Sequence, residues 1–280
     1  GITFNQTHKD PVLREIFNDV RFRQAMSLAI NRQQVNDVLY FGRATIRQAT
    51  IPESVSFYEE WMGEHFVEYD PDQANALLNE MGLEWDSAQE VRLRPDGQPL
   101  QIVLECWEEF CPHSELVAEM WTEVGVKTTM SQIERTLWLE RNQANEADAY
   151  AHPYDSIAEP NLRAASCARL RPLGSDSYAP LWRLWYNSGG QDGEEPSEIN
   201  QQIFALCDQF ATAQPMSDEY LEIGREMATL YTEQLYSLGI SVAPRVIIIS
   251  NRLGNAPTEG MFSGDFMFWV PYRGDQWYIK

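Results

Sequence analysis

Three carboxylates that follow a short apolar run are candidates for acid–base chemistry in this 280-residue sequence. Glu105, Glu108 and Glu109 come directly after the run 101–104. Two carboxylates held about 5 to 9 Å apart across a cleft would suit glycoside hydrolysis. With 42 acidic residues in the chain, however, such proximity also arises by chance. A carboxylate-dependent glycoside hydrolase is therefore kept as an alternative, and no catalytic residue is assigned.

The other groups that catalyse reactions or bind metals lack the spacing that such sites require. His8, His65, His113 and His152 are scattered, with no H-E-x-x-H or paired-ligand spacing, and we expect them to be surface or loop residues. The glycines at 189–193 do not follow a strand and open a helix as a phosphate-binding loop does. The sequence therefore predicts no metal and no cofactor, and the protein is not expected to be an enzyme.

The four cysteines leave their pairing open. Cys106 and Cys111 are close enough in sequence for a small disulfide loop, which an exported protein would permit. Cys167 and Cys207 complete the set, and none of the spacings fits a zinc pattern. From the sequence, a disulfide and free thiols are equally consistent with these positions.

The charge balance excludes two classes of partner. Lys and Arg number 21 against 42 Asp and Glu, so the formal net charge is −21. Such a chain is repelled by phosphate backbones and by anionic lipid, and we predict neither a nucleic-acid partner nor a membrane-surface role. No run approaches 18 consecutive apolar residues, so the sequence predicts no membrane-spanning helix.

Aromatic side chains are more informative, because many of them stand in segments that follow predicted strands. Ligands of an α/β sheet bind beyond the carboxyl ends of its strands, and flat rings cover peptide side chains or sugar faces at low entropic cost. The alternative for each ring is packing in the core or between domains. The candidate ligand-binding residues are Trp107, Tyr154, Asp155, Arg163, Trp182 and Trp185.

Local signals predict two helices joined by a corner within Phe17–Gly42. Asp19 can cap the first helix, whose apolar residues then recur at helical spacing. Asn31 can end that helix and cap the second, with Gln34 as its capping-box partner. Gly42 is a good left-handed stop. Both apolar stripes then face one core.

The middle of the chain predicts a sheet with helices on it. We predict a hairpin from Val91–Arg94 and Leu100–Cys106, with Asp-Gly in the turn. A helix over Pro112–Val124 and a strand over Val126–Ile133 then complete a strand–helix–strand unit. A short strand follows over Asp148–His152.

The last part of the chain alternates long loops with helices. Residues 153–194 are expected to be loop-like and crowded with large side chains. Two helices are predicted over Pro196–Ala211 and Ser217–Leu235, followed by an apolar strand over Arg245–Ser250.

Several segments resemble one protein family. The segment RFRQAMSLAINR at 21–32 resembles the RxA(L)xxAI(D/N)R signature of the family 5 extracellular solute-binding proteins, the oligopeptide- and dipeptide-binding proteins of ABC importers. YDPDQANALLNEMGL at 69–83 resembles the family's YDPxxAxxLLxExG(L), and every helix-capping element agrees. The segments WYNSGGQDGEEP, LYTEQLYSLGI and SNRLGNAP resemble one branch of the family.

The resemblance implies a fold and a domain organisation. The expected fold is α/β, a mixed sheet with flanking helices, as in the second lobe of a periplasmic-binding-protein-like type II (cluster C) protein. Residues 1–250 would form that lobe, and the aromatic-rich segment 251–280 would return toward a first lobe that precedes this stretch in a longer chain. In the family, the segment matching 148–160 lines the cleft, but its Asp-Pro pair is here replaced by Glu159-Pro160.

The resemblance also implies a function. The whole protein would close two lobes on an oligopeptide and deliver it to the membrane subunits of an ABC permease. It would be periplasmic or extracellular, and anchored through an N-terminal signal. An oligosaccharide is the alternative solute in the same family. A pure interaction module is a third class of hypothesis beside receptor and hydrolase.

Overall fold

A computed structural model describes residues 1–154, 157–164, 167–174, 176–244, 249–256 and 274–280. The strands are β1 (Ile2–Phe4), β2 (Gln101–Cys106), β3 (Lys127–Gln132), β4 (Ala149–Ala151), β5 (Ser237–Leu238), β6 (Leu253–Gly254) and β7 (Tyr278–Ile279). The helices are α1 (Pro11–Asn18), α2 (Val20–Leu28), α3 (Arg32–Tyr40), α4 (Glu60–Glu64), α5 (Pro71–Glu80), α6 (Cys111–Glu123), α7 (Arg135–Gln143), α8 (Glu159–Ala164), α9 (Pro180–Asn187), α10 (Glu198–Thr212) and α11 (Asp218–Gln234). Within these described residues, no helix is both long and apolar enough to cross a bilayer.

The main sheet is mixed, as the sequence predicts. Its strand order is β3-β2-β4-β1-β5, and a two-stranded ladder of β6 and β7 lies apart from it. β2 runs parallel to both β3 and β4, whereas β1 is antiparallel to β4 and to β5. The carboxyl ends of β2, β4 and β5 therefore meet at one edge, beside the amino end of β1.

The two faces of the sheet carry different side chains, because successive residues of a strand point to opposite sides. Ile2, Phe4 and Leu104 lie in the main apolar core with residues of α2, α3 and α6. Thr3 and Tyr150 point to the other face, where Tyr150 packs against Trp138 of α7. A second apolar cluster, formed mainly by α10, α11 and the segments 51–62 and 157–182, flanks the sheet.

The caps predicted for the two signature helices are formed. The Asp19 carboxylate accepts from the Arg21 amide at 2.9 Å, and the Asn31 side chain accepts from the Gln34 amide at 3.0 Å. The second helix ends one residue before the predicted stop, because Phe41 already has a left-handed backbone with φ 54°. Gly42 continues in that region at φ 72°.

The predicted hairpin is only partly present. The Asp-Gly turn forms, with the Gly97 amide donating to the Arg94 carbonyl oxygen at 2.8 Å. Val91–Arg94 is nevertheless not a strand, and isolated bridges such as Leu93 with Pro99 replace it. The reason is that β2 is an inner strand: β3 and β4 occupy both of its edges and leave no ladder for a hairpin partner.

The segment 153–194 is more regular than expected, because it contains α8 and α9. Pro180 begins α9 at its first position, and Trp182, Trp185 and Tyr186 follow at helical spacing. The loop expectation rests on the size and abundance of these rings, which say nothing about backbone conformation. The strand predicted over Arg245–Ser250 lies largely outside the described residues, as does most of the C-terminal segment.

Candidate ligand-binding site

A cavity of about 590 Å³ opens at the edge where the carboxyl ends of three strands meet. His152 and Tyr154 follow β4, Phe110 follows β2, and the segment from Gly239 to Ala243 follows β5. This is the edge at which α/β sheets bind ligands. The polar and aromatic side chains of its wall include Tyr40, Arg47, Glu109, His113, Tyr154 and Ser241.

Tyr154 is the one candidate from the sequence that the structure places on this wall, among those it describes. Its ring is half-buried and stacks at 6.4 Å on the ring of Tyr231 from α11. The Tyr231 contact fixes the orientation of the ring while one side remains at the cavity. Asp155 lies outside the described residues.

The tryptophan candidates lie elsewhere. Trp107 is the first residue after β2 and packs edge-on against Trp138 at 4.8 Å. Trp182 is 5% exposed and meets Tyr178 and Tyr236 inside the second cluster. Trp185 covers the turn at Gly190, where a β-carbon would lie 3.5 Å from the indole nitrogen. None of the three is on the wall of this cavity.

Arg163 also has a packing role. Its guanidinium donates to the carbonyl oxygen of Ala213 at 2.7 Å and lies 6.0 Å from the ring centre of Tyr220. It thereby joins α8 to the end of α10 and to the start of α11. The side chain does not reach the cavity.

Tyr40 and His113 form a neutral polar pair on the wall. The Tyr40 hydroxyl oxygen lies 2.7 Å from Nε2 of His113. Burial lowers the pKa of His113 to about 4, so the ring is uncharged at neutral pH. Its Nδ1 atom is buried and has no hydrogen-bond partner among the described residues. The pair therefore makes this part of the wall polar without adding charge.

Two charged groups lie on the same wall. Arg47 donates to the Ile51 carbonyl oxygen at 2.6 Å and stands 5.5 Å over the ring of Tyr58, so its guanidinium is held in place. Glu109 is exposed and lines the cavity from the loop between β2 and α6. A solute that carries both an acidic and a basic end would find a partner for each.

A buried polar network supports the wall from below. Nε2 of His152 lies 3.0 Å from the Thr3 hydroxyl, which in turn lies 2.7 Å from the Ser237 hydroxyl. Burial, reinforced by the charge of Arg169, lowers the pKa of His152 to about 3. The three strands that supply these residues are thereby joined below Tyr154.

Of the four histidines, which are expected to be surface or loop residues, His113 departs from the prediction because it lies in the first turn of α6. His8, His65 and His152 lie in loops as predicted, but two of these three are buried. His152 is 3% exposed, and His8 is 4% exposed with Nε2 at 2.9 Å from Asp148. Both are fully enclosed because residues distant in sequence supply their polar partners. Spacing along the chain could not show those partners.

The loop between β2 and α6 is closed by a disulfide between Cys106 and Cys111, which resolves the open pairing. Cys167 and Cys207 are free and buried. Glu109 and Phe110 within the closed loop reach the wall, whereas Glu105 is buried and pairs with Arg141 at 2.7 Å. Among the described residues, Glu109 is the one carboxylate on the wall, so the paired arrangement of a glycosidase is not formed there.

Sequence reasoning missed most of this wall, including Tyr40, Arg47 and His113. One signal was available for His113. Its helix begins directly after β2, so the first turn of that helix must face the same edge as the end of the strand. Tyr40 and Arg47 carry no such signal, because the fold of the segment after α3 brings them to the edge.

Comparison with known proteins decides the family. The family model of the bacterial extracellular solute-binding proteins, family 5 Middle, matches residues 1–161. The chain belongs to this family. The family consists of binding proteins, and its signature segments in this chain are those quoted from the sequence.

Two of the relatives are peptide-binding proteins of other bacteria. Di/tripeptide-binding protein 1 of Pseudomonas aeruginosa (strain UCBPP-PA14) is 27% identical over 152 residues, which is 53% of this chain and 25% of that protein. The dipeptide-binding protein of Escherichia coli (strain K12) is 27% identical over 139 residues, 48% of this chain and 24% of that protein. The matched part of the chain thus covers about a quarter of the length of each of these relatives.

Solved structures show the same fold. The oligopeptide-binding protein OppA is 36% identical with a TM-score of 0.75, and the match covers 86% of this chain and 40% of that one. The periplasmic binding protein MelB from Agrobacterium fabrum C58, in complex with stachyose, has a TM-score of 0.74 at 18% identity, over 91% and 39% of the chains. The fold is that of the type II periplasmic binding proteins, as the sequence predicts.

Proposed function

We propose that this chain is the second lobe of a receptor that captures an oligopeptide between two lobes and delivers it to an ABC permease. The observation that carries the proposal is the cavity at the strand ends, whose wall offers rings, a neutral hydrogen-bonding pair and two opposite charges. Family membership and the likeness to OppA support it. The receptor would bind its solute and release it unchanged, so we propose no catalytic activity.

The domain organisation belongs to the same proposal. Residues 1–250 would form the lobe, and 251–280 would return to the first lobe. The pairing of Thr45 with Val242 supports this, because it holds the chain against the cavity rim just after it leaves β5. A hinge motion between the lobes would then bring the wall of the first lobe over the cavity of this lobe.

The proposed location is periplasmic or extracellular, with anchoring through an N-terminal signal of the full-length protein. The disulfide between Cys106 and Cys111 supports an oxidising compartment. The family description as extracellular supports the same location.

A peptide suits the wall because its ends carry opposite charges. Arg47 would face a carboxylate, Glu109 an ammonium group, and Tyr154 the side chains between them. The Tyr40 hydroxyl, paired with Nε2 of His113, would form a hydrogen bond with the peptide backbone. Contacts made only when both lobes close would supply most of the affinity.

An oligosaccharide remains the second candidate. MelB, whose structure contains stachyose, supports it by fold alone. On this wall, Tyr40, Phe110 and Tyr154 are rings that could stack on sugar faces. Because Trp107, Trp182 and Trp185 are packed elsewhere, the aromatic content favours a sugar less than the composition suggests, and we favour a peptide.

Isothermal titration of the full-length protein with peptides of two to five residues and with galactosyl and glucosyl oligosaccharides tests the proposal. We expect peptides to bind and Tyr154→Ala to weaken binding by roughly tenfold or more. Trp185→Ala is the matched control and should leave the dissociation constant nearly unchanged, because its ring covers a turn away from the cavity. Binding of sugars alone, or equal effects of the two substitutions, would contradict it.

A further inference from the structure

The two remaining cysteines, Cys167 and Cys207, are neighbours in space although 40 positions apart in sequence. Both lie in the second apolar cluster, with exposures of 1% and 0%. The Cys167 thiol lies near enough to add to the effect of burial in raising the pKa of the Cys207 thiol, and the Cys207 sulfur lies 3.4 Å from the sulfur of Met227. Two buried thiols in one cluster can be joined if the backbone segments that carry them are held close together.

Hydrogen bonds on both sides of the two cysteines hold the backbone around them in place. The amides of Leu170 and Arg171 donate to the Cys167 carbonyl oxygen, each at 2.9 Å, so Arg171 lies one turn beyond the cysteine. The Arg171 guanidinium donates to the Asp208 carboxylate at 2.7 Å, directly after Cys207 in α10. The ion pair thereby joins the turn that carries Cys167 to α10, which carries Cys207.

We propose that Cys167 and Cys207 are oxidised to a second disulfide of this protein. The chain already carries one disulfide, between Cys106 and Cys111, so a compartment that forms the first can form the second. The first bond closes a short loop at the cavity wall. The second would join the segment after α8 to α10.

The chemistry is thiol–disulfide exchange with a small disulfide or a dithiol oxidase as oxidant. One cysteine thiolate attacks the oxidant's disulfide, forms a mixed disulfide and releases one oxidant sulfur as a thiol. The second cysteine then attacks the protein sulfur of the mixed disulfide and releases the other. The protein loses two protons and two electrons, and the oxidant disulfide is reduced to two thiols.

The disulfide should form while the chain folds rather than in the folded protein. Burial raises the pKa of the Cys207 thiol, so the nucleophilic thiolate is scarce once the cluster has closed. An external oxidant also has no access to a sulfur that is 0% exposed. The bond should therefore form efficiently during oxidative refolding and slowly in the native protein.

The bond would stabilise the base of the cavity. Arg169 and Asp176, which lie in the segment after Cys167, form an ion pair beside His152 below the wall. A disulfide that encloses about 40 residues restricts the unfolded chain strongly, and for a domain of this size a rise in melting temperature of roughly 5 to 10 °C is expected.

Peptide mapping of the full-length protein after oxidative refolding in glutathione buffer tests the proposal. Trypsin releases Cys167 within residues 164–169 and Cys207 within residues 184–225, whereas Cys106 and Cys111 fall in one peptide. Without reduction, we expect a cross-linked species of the first two peptides and no alkylation of either cysteine. Cys207→Ser should abolish this species and leave Cys167 alkylated.

The double variant Cys106→Ala/Cys111→Ala isolates the second bond. It should still give the cross-linked peptides, and dithiothreitol should then lower its melting temperature by several degrees. Complete alkylation of Cys167 and Cys207 after oxidative refolding and denaturation overturns the proposal. So does a predominant bond from either of them to Cys106 or Cys111 in the wild-type protein.

Discussion

The guanidinium of Arg32 donates through Nε to the carbonyl oxygen of Gly239 at 2.8 Å. Its other nitrogens donate to the carbonyl oxygens of Ser27 and Val67 and to the Ser27 hydroxyl. The last arginine of the signature segment thus joins two helix ends to the chain that leaves β5 at the cavity. The role of Arg32 in the signature is to build this junction, although its side chain does not touch the cavity.

Arg32→Ala should destabilise the fold strongly. The side chain is 2% exposed, so its removal leaves several buried carbonyl oxygens without a donor. We expect the free energy of unfolding to fall by on the order of 3–5 kcal/mol, measured by urea denaturation. Arg21→Ala in the same signature is the control, because that side chain is 43% exposed and pairs with its neighbour Asp19. Similar losses for both variants would contradict the assignment.

Gly239→Ala should be equally damaging, for a steric reason. A β-carbon at this position would lie 2.3 Å from the Ala49 amide nitrogen and 2.4 Å from the Arg47 carbonyl oxygen. Because backbone atoms cannot move aside, the cavity rim must open, at a cost of on the order of 3 kcal/mol. Solute affinity should fall as well, since Arg47 and Gly239 both line the cavity.

Gly97→Ala separates this steric effect from the general cost of replacing glycine. Gly97 has φ 79°, and no described atom beyond its chain neighbours lies within 4 Å of the position that a β-carbon would take. Only backbone strain of about 1–2 kcal/mol therefore applies. Thermal unfolding and titration with the solute measure both variants. An unchanged solute affinity in Gly239→Ala would contradict the prediction that opening of the cavity rim weakens binding.

The helix caps were predictable from sequence because they depend on residues one to three positions apart. Asp19, Asn31 and Asp70 each accept the expected backbone hydrogen bond. The mixed sheet followed from the strand–helix–strand pattern and from the family resemblance. The strand prediction for Val91–Arg94 is wrong because the sequence does not show that both edges of β2 are occupied.

The site was much less predictable, because the position of an aromatic ring depends on contacts between distant segments. Tyr154 and Trp182 look alike in the sequence, as large rings in a long segment after a strand. Trp182 is enclosed by Tyr178 and Tyr236, and Tyr154 reaches the cavity because β4 ends just before it, at Ala151. The spacing of His113 gives no hint of a site, although its place in the first turn after β2 directs it to the wall.

Acid should destabilise the protein between about pH 6.5 and 4. Burial holds the pKa of His113 at about 4 in the folded state, below its ordinary value in the unfolded chain. Within this range the unfolded state therefore binds a proton that the folded state does not, and the free energy of unfolding falls as pH falls. Urea denaturation at a series of pH values should show this slope.

His113→Gln should make the slope shallower over the same range while retaining a polar partner for Tyr40. His152 should contribute in the same direction, because burial lowers its pKa to about 3. His152→Asn should therefore flatten the profile further when combined with His113→Gln. A slope in the double variant as steep as in the wild-type protein would contradict the assignment of both rings as neutral.

The disulfide between Cys106 and Cys111 should support both stability and affinity. It closes a short loop between cysteines with a sequence separation of 5. For a loop of this length, about 2 kcal/mol of stabilisation is expected. Glu109 and Phe110 stand on the cavity wall within that loop, so Cys106→Ala/Cys111→Ala should also weaken solute binding, by roughly threefold to tenfold. Urea denaturation and titration calorimetry measure the two effects.

Substitutions within the loop separate a lost contact from a loosened loop. Glu109→Gln keeps the disulfide and removes a charge from the cavity wall. It should therefore lower the affinity for peptides with a free amino end more than the affinity for peptides with that end acetylated. Glu108→Gln is the matched control, because Glu108 is exposed and off the wall, and its affinity should match the wild-type value. If Glu108→Gln weakened binding as much as Glu109→Gln, the loop would act through its overall charge, and the placement of Glu109 against the solute would be wrong.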